Sequence, residues 1–382
     1  MGPHTAAASE GGSAIMTRRR RAMAAFICTS AAVLMIGGGA VSAGDGIRAR
    51  RVATGLDQPV AFTFDPRGRI WYVGKASGEV RVLNPERDSD RLFYRFSGVS
   101  SEGERGALGV ALHPDYPQTP FVYVFVTRGP GSHPLENQIV RLRDDGGRGR
   151  HAKIILRSPT TTRTNHNGGR ILFGPDGMLY AVVGDGGVDQ ATAQDLDDVR
   201  GKVLRMTPSG GVPSDNPFAS LVFSFGLRNS FGFDFDPQTG DLWETENGPE
   251  CNDELNRVQP GANYAWGPSF DCGSAPAPLD TNADGPLPRM LPLEFFTPTI
   301  APTGMAFCDG CALGPGAEGT FFFGTSKAGT LYQVSLNLIR DDIASVDPVL
   351  VDPGRITSLE EAPNGRIYFS DLAGRIFRLA PT

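Results

Sequence analysis

Six times along this chain a tight turn opens onto a run of alternating apolar and aromatic residues, and this recurrence constrains the fold more than any other feature. A Pro-x-Gly type turn leads into a strand pattern in "FDPRGRIWYVG" from Phe64, "FGPDGMLYAVVGD" from Phe173, "FDPQTGDLWETENG" from Phe235 and "APNGRIYFSD" from Ala362. Looser copies are "LHPDYPQTPFVYVFVT" from Leu112 and "GAEGTFFFGTSKAGTLYQV" from Gly316. Proline presets the turn, glycine closes it, and β-branched and aromatic residues follow. A period on the order of 50 to 60 residues, with scarcely a stretch of helical period, predicts an all-β, six-bladed β-propeller of four-stranded antiparallel blades. A sandwich or a pair of barrels is the competing architecture. In a propeller the inner strands converge on one mouth, so residues as distant in sequence as His166, Arg228 and Lys327 can meet.

The repeats occupy residues 44–382, which we read as a single domain. Before them, Arg18-Arg19-Arg20-Arg21, an apolar run from Ala22 to Ile36 and the small-residue pattern Val41-Ser42-Ala43 read as a secretory signal peptide over residues 1–43, with Met16 a plausible true start. The apolar run is too short for a convincing membrane span, so release without stable membrane insertion is expected, placing the protein in the periplasm or outside the cell. A net charge of −6 with no clustered Lys and Arg excludes phosphate-driven nucleic-acid binding. Cys28 lies in the leader. Cys251, Cys272, Cys308 and Cys311 remain, an even number suited to an oxidising compartment. Four cysteines allow three pairings, and proximity favours Cys251 with Cys272 and Cys308 with Cys311. Zinc or redox use of Cys308-Asp-Gly-Cys311 lacks a second ligand pair of suitable spacing.

There is no Gly-x-Ser-x-Gly elbow, His-Glu-x-x-His, phosphate loop or strand-to-helix Gly-x-Gly-x-x-Gly, which removes serine hydrolase, zincin and nicotinamide chemistry. Three polar clusters survive: "NHNGGR" with Asp185 downstream, "GLRNSFGFDFD" from Gly226, and "ETENGPECNDELNRVQPGANYAW" from Glu244. In the first, His166 with Asp185 is either a base held in one tautomer or a structural hydrogen bond. In the last, Glu246, Asp253 and Glu254 with the Asn247-Gly248-Pro249 turn offer the oxygen ligands a hard cation needs, or else form a solvated acidic loop. His113 precedes a proline in a turn, and His133 and His151 sit in polar connections, so none of these three is a candidate.

Taken in order, the motifs "GLDQPVAFTFDPRGRIWYV", "GERGALGVALHPDYP", "NHNGGRILFGPDGMLYAVVGD", "GLRNSFGFDFD", "ENGPECNDELNRVQPGANYAW", "GTSKAGTLYQV" and "GRITSLEEAPNGRIYFSD" resemble the soluble, pyrroloquinoline quinone (PQQ) dependent aldose sugar dehydrogenases of the glucose/sorbosone dehydrogenase family. The resemblance covers nearly the whole mature chain and implies oxidation of an aldose to a lactone, with transfer of electrons to an external acceptor. It implies His166 as general base at the anomeric hydroxyl, Asp185 as the acid that orients it, and Arg228 as the charge stabiliser over the cofactor. It places Glu104, Asn229, Asn247, Thr299, Lys327, Arg355 and Thr357 at cofactor-contacting positions. Gly248 and Pro249 match the carbonyl donors to an active-site Ca²⁺, and Asp253, Glu254 and Tyr264 match a second calcium site. Three positions depart from the family pattern: Glu104 stands for glutamine, Phe231 for a polar residue, and Thr357 for the second of two clamping arginines. Those changes are expected to weaken PQQ binding by a few kcal/mol where the groups are desolvated. Relatives such as the extracellular hedgehog-interacting proteins use the fold for binding alone, so a non-catalytic propeller that binds a carbohydrate or protein is the second reading. A calcium-dependent lactonase-like hydrolase is a weaker third, since it would not require Arg228 and Lys327.

Overall fold

The computed structural model describes residues 46–273 and 282–382; the expected signal peptide and part of the Pro-rich segment after Phe270 lie outside the described residues. Within them are twenty-four strands, numbered β1 to β24 in chain order, and helix is limited to two short 3₁₀ turns. No helix among the described residues is long and apolar enough to cross a membrane.

The strands form six four-stranded antiparallel sheets. Each blade begins with an inner strand: β2 (Pro59–Phe64), β6 (Ala107–Leu112), β10 (Ile171–Phe173), β14 (Ser230–Phe235), β18 (Pro302–Phe307) and β22 (Ile356–Glu361). These strands adjoin one another around a ring, with β22 returning to β2 and the third and fourth blades meeting through β14. Five blades use four strands consecutive in sequence. The sixth takes its outermost strand, β1 (Ile47–Ala53), from the other end of the chain, paired antiparallel with β24 (Arg375–Pro381) from Ile47↔Pro381 to Ala53↔Ile376. This exchange closes the ring non-covalently. A sandwich or barrel pair is thereby excluded, and the blade spacing is less even than the repeats suggested because the connections between blades differ in length.

The second strands show why the sequence chooses this arrangement. They are β3 (Ile70–Gly74), β7 (Phe121–Arg128), β11 (Leu179–Val183), β15 (Leu242–Glu246), β19 (Phe321–Thr325) and β23 (Ile367–Asp371), and they read as near-continuous apolar runs. Alternate residues face different neighbours. In β3, Trp71 and Val73 pack against Val110, Val122 and Val124 of the second blade, while Ile70 and Tyr72 pack with Ile376 of the sixth. In β7, Val122, Val124 and Val126 join one inter-blade cluster and Tyr123 and Phe125 the next. A strand buried on both faces is apolar at every position rather than every second one.

All six turn signals fall between the first and second strands of a blade. In four of them the glycine amide closes the turn, as Gly68 N to Asp65 O at 2.8 Å, Gly177 N to Gly174 O at 2.9 Å, Gly240 N to Asp236 O at 2.8 Å and Gly365 N to Ala362 O at 2.8 Å, with φ of 73°, 73°, 78° and 78°. That left-handed conformation is what makes glycine the residue there. Asp65 adds a buried clamp: Oδ1 accepts the Arg67 and Arg69 amides at 3.0 and 3.1 Å, and Oδ2 accepts Arg69 Nε at 2.6 Å and Trp71 Nε1 at 3.1 Å. The turns crowd one rim. The opposite rim therefore carries the ends of the second strands and the residues just before the first strands. Both disulfides form as proximity favoured, Cys251–Cys272 and Cys308–Cys311.

Replacing Asp65 with Ala strips the turn of its acceptor and leaves the Trp71 indole N–H buried without a partner. Asp65→Ala should lower unfolding free energy by about 3 kcal/mol, read from the shift in denaturant midpoint; a loss under about 1 kcal/mol would show that the clamp is not what holds the turn.

Candidate active site

A cavity of about 220 Å³ opens on the axis, with wall residues from all six blades: Ala61, Leu108, Gly168, Phe231, Gly304 and Ser358 among them. Residues just before β10 and β14 and just after β11 and β15 bring the sequence candidates together beside it. His166 Nδ1 lies 2.7 Å from Asp185 Oδ1, and both side chains are buried. Asp185 is fixed in turn by the Gly187 amide at 2.7 Å and by Trp266 Nε1, which donates to Oδ2 at 2.8 Å. With Nδ1 directed at a carboxylate, the neutral imidazole carries its proton there and leaves Nε2 as the acceptor.

His166 itself sits in the left-handed region, at φ 56°. Glu104 holds it: its Oε2 accepts the His166 amide at 2.7 Å and Asn229 Nδ2 at 3.3 Å. One oxygen of the added carboxylate is thus spent on a backbone and an amide donor. The two glycines that follow serve protein packing as well as any ligand. A Cβ on Gly168 would lie 2.4 Å from Val182 O, and one on Gly169 would lie 2.4 Å from Leu108 Cβ.

Arg228 is half-buried over the Trp266 ring, 5.4 Å from its centroid, and its Nη1 donates to Asn247 O at 2.7 Å and Gly248 O at 3.1 Å. Burial lowers its pKa, while Asp185, Glu246, Glu104 and Asp253 draw it back up. Its backbone is pinned by Glu246, whose Oε1 accepts the Arg228 and Asn229 amides and whose Oε2 accepts Ser230 Oγ at 2.7 Å. Asn247 Nδ2 donates to Pro302 O at 3.0 Å and lines the cavity. Lys327 Nζ donates to Thr299 Oγ1 at 3.2 Å on the exposed rim, and Arg355 is exposed just before β22. Thr357 is buried in the cavity wall with its hydroxyl 3.1 Å from Ser370 Oγ.

The calcium candidates divide. Gly248 offers its carbonyl beside the exposed Pro249, and that carbonyl already accepts Arg228 Nη1 at 3.1 Å. Asp253 already accepts the Gly248 amide at 2.8 Å and the Ile300 and Ala301 amides at 2.6 and 2.7 Å. Glu254 differs. Register in the fourth blade sets Glu246 opposite Glu254 and Glu244 opposite Asn256 of β16 (Asp253–Val258). Among the described residues, the buried Glu244 Oε2 and Asn256 Oδ1 have no hydrogen-bond donor. Asn282 Nδ2 bridges Glu254 Oε1 at 2.9 Å and the Tyr264 carbonyl at 3.2 Å. The orphaned acceptors, the carboxylates and the carbonyl are oxygen donors of the kind a hard cation takes. Burial raises the pKa of Glu254 to about 7, burial and then Glu244 raise that of Glu246, and burial raises that of Glu244.

Sequence reasoning missed Trp266, which braces both Asp185 and Arg228. It stands at the end of a quoted motif, and a tryptophan closing a polar loop was the available signal. It also missed Lys75 in the cavity wall and the buried Arg170–Glu360 pair.

The fold and the site define a six-bladed propeller whose axial cavity is flanked by a buried histidine–aspartate pair and a half-buried arginine. The chain belongs to the glucose/sorbosone dehydrogenase family, whose model matches residues 56–378. It is 28% identical to the aldose sugar dehydrogenase YliI of Escherichia coli (strain K12), over 85% of this chain and 91% of that one. Its fold is similar to the PQQ-bound form of the aldose sugar dehydrogenase of Streptomyces coelicolor, with TM-score 0.74, 29% identity, and 87% and 97% of the two chains covered. The hedgehog-interacting protein of Mus musculus is 33% identical over 47% of this chain and 30% of its own length.

The raised carboxylate pKa values fix a sign. Between the usual 4.5 and about 7, the folded protein keeps protons that the unfolded chain has lost, so without a cation its stability falls as pH rises through that window. In chelator, the melting temperature should drop across this range, and Ca²⁺ should restore it at the high end with little effect at the low end. A melting temperature indifferent to Ca²⁺ at every pH would rule the acid cluster out as a cation site.

Proposed function

We propose that this protein is an exported quinoprotein that oxidises the anomeric hydroxyl of an aldose to a lactone, using PQQ and Ca²⁺ and passing electrons to an external acceptor. One observation carries the reading: the His166–Asp185 pair, buried and braced, stands with Arg228 beside an axial cavity. His166 Nε2 takes the proton of the anomeric hydroxyl, and Asp185 stabilises the imidazolium that results. When bound, the quinone supplies a two-electron acceptor whose carbonyl the Ca²⁺ polarises. Arg228, Lys327 and Arg355 would hold the anionic cofactor, with Asn229, Asn247, Thr299 and Thr357 completing its contacts. Gly248 and Pro249 carbonyls would hold the Ca²⁺ beside it, and Glu254 with the Tyr264 carbonyl a second one. The half-buried charge of Arg228 would offset negative charge that grows in the cavity as the sugar is oxidised. Trp266 keeps that guanidinium and the Asp185 carboxylate in place. Two disulfides support an extracytoplasmic location.

The second reading, a binding propeller without redox turnover, draws on Glu104 and Thr357 in the cavity wall and on the hedgehog-interacting relative. Reconstitution of the apo-protein with PQQ and Ca²⁺, followed by sugar-dependent dye reduction, separates the two. Dye reduction is expected; its absence with every aldose, together with no spectral change of PQQ, favours the binding protein. In the reconstituted enzyme His166→Ala should cost turnover a factor of about 100 or more and leave PQQ affinity within about threefold of wild type. Loss of PQQ binding in that variant would mark His166 as structural.

A further inference from the structure

We propose that Lys75 is an anion-binding residue of the axial cavity, the cation that neutralises Glu104 and receives a carboxylate of the cofactor; the second half of this rests on the quinoprotein reading. The first support is topological. Residues of the site come from two places in a blade: just before the first strand, as Glu104, His166, Arg228 and Arg355 do, or just after the second, as Asp185, Asn247 and Lys327 do. Lys75 directly follows Gly74, the last residue of β3, and so holds in the first blade the place that Asn247 holds in the fourth.

The second support is the composition of the wall. Among the described residues lining the cavity, Lys75 and Arg170 are the cations and Glu104 is the acid. Arg170 is committed to a buried pair with Glu360. Lys75 spends one donor on Ser101 O at 2.9 Å, and an ammonium has three. Its charge is coupled to the cavity: partial burial lowers its pKa, and the negative charges of Glu104 and then Asp57 pull it back up. Thr357, by contrast, brings no charge and bonds Ser370.

The third support is that Lys75 is held in place. Its amide donates to Gln58 O at 3.3 Å, and its carbonyl accepts the Ala107 amide at 3.1 Å. A Cβ on Gly106 would come within 2.7 Å of Lys75 Cγ, so a glycine there is what lets the lysine stem pass between the first two blades. A placed, half-desolvated ammonium binds an anion better than a solvated one, because less of its hydration is lost on contact.

The test is equilibrium titration of Ca²⁺-loaded apo-protein with PQQ, followed by the cofactor's absorbance, with circular dichroism to verify folding. Lys75→Met should raise Kd about tenfold or more, while Lys75→Arg should stay near wild type. Glu104→Gln should tighten binding, and Lys75→Met should cost less in that background, because the acid it balances is gone. A folded Lys75→Met with wild-type Kd, or a Glu104→Gln variant with no gain, overturns the role of Lys75 and leaves the quinoprotein reading standing. Wild-type protein that fails to bind PQQ takes down both.

Discussion

Every blade is buried on both faces by its neighbours, and this two-sided burial decides where chemistry can occur. Trp71 and Val73 face one blade while Ile70 and Tyr72 face another, so the middle of a strand has no room for a solvated polar group. Polar side chains are confined to the rims and to the axis, where six inner strands diverge enough to leave a cavity. One rim is taken up by the tight turns between first and second strands. The other collects the strand ends, and on that rim His166, Arg228 and the acids Glu104, Asp185, Glu246 and Asp253 converge from the second, third and fourth blades.

The convergence carries an electrostatic cost that the fourth blade concentrates. Glu246 is buried because it is needed: it accepts the amides of Arg228 and Asn229 where the chain enters β14, and no strand partner can do so there. Register then sets Glu254 across from it and Glu244 two residues away on the same face. Like charges in one desolvated cluster must be protonated or balanced by a cation. The charge state of the cluster is therefore felt at the Arg228 backbone through Glu246.

The parts of this structure legible in the sequence are those set by local chemistry or by nearby pairs. Pro-x-Gly turns announce themselves because proline and glycine act within four residues, and they gave the blade count. The cysteines pair with their nearest partners. His166 and Asp185 stand at opposite ends of one hairpin motif, so their meeting follows from a short stretch. Trp266 and Lys75 were not legible, since each acts through packing between blades that no local pattern encodes. The role of Glu104 was hidden for the same reason: its partners, His166 N–H and Asn229 Nδ2, belong to the third and fourth blades. The need for glycine at 168 and 169 was hidden likewise, because the nearest obstacles to a side chain there are Val182 O and Leu108.

Seen together, the three departures from the family pattern redistribute charge around the cavity. An arginine at position 357 would project from a buried strand and need an acid or a ligand to balance it; threonine there satisfies itself on Ser370 at no such cost. Glutamate at 104 gives the His166 amide a stronger acceptor than glutamine, which firms the left-handed backbone at His166. That gain would leave an uncompensated anion in the cavity wall were Lys75 not in the same wall. The positive charge absent from the sixth blade is present in the first. A cavity of this shape can keep its affinity for an anionic ligand as long as the cation stands on the rim, whichever blade supplies it.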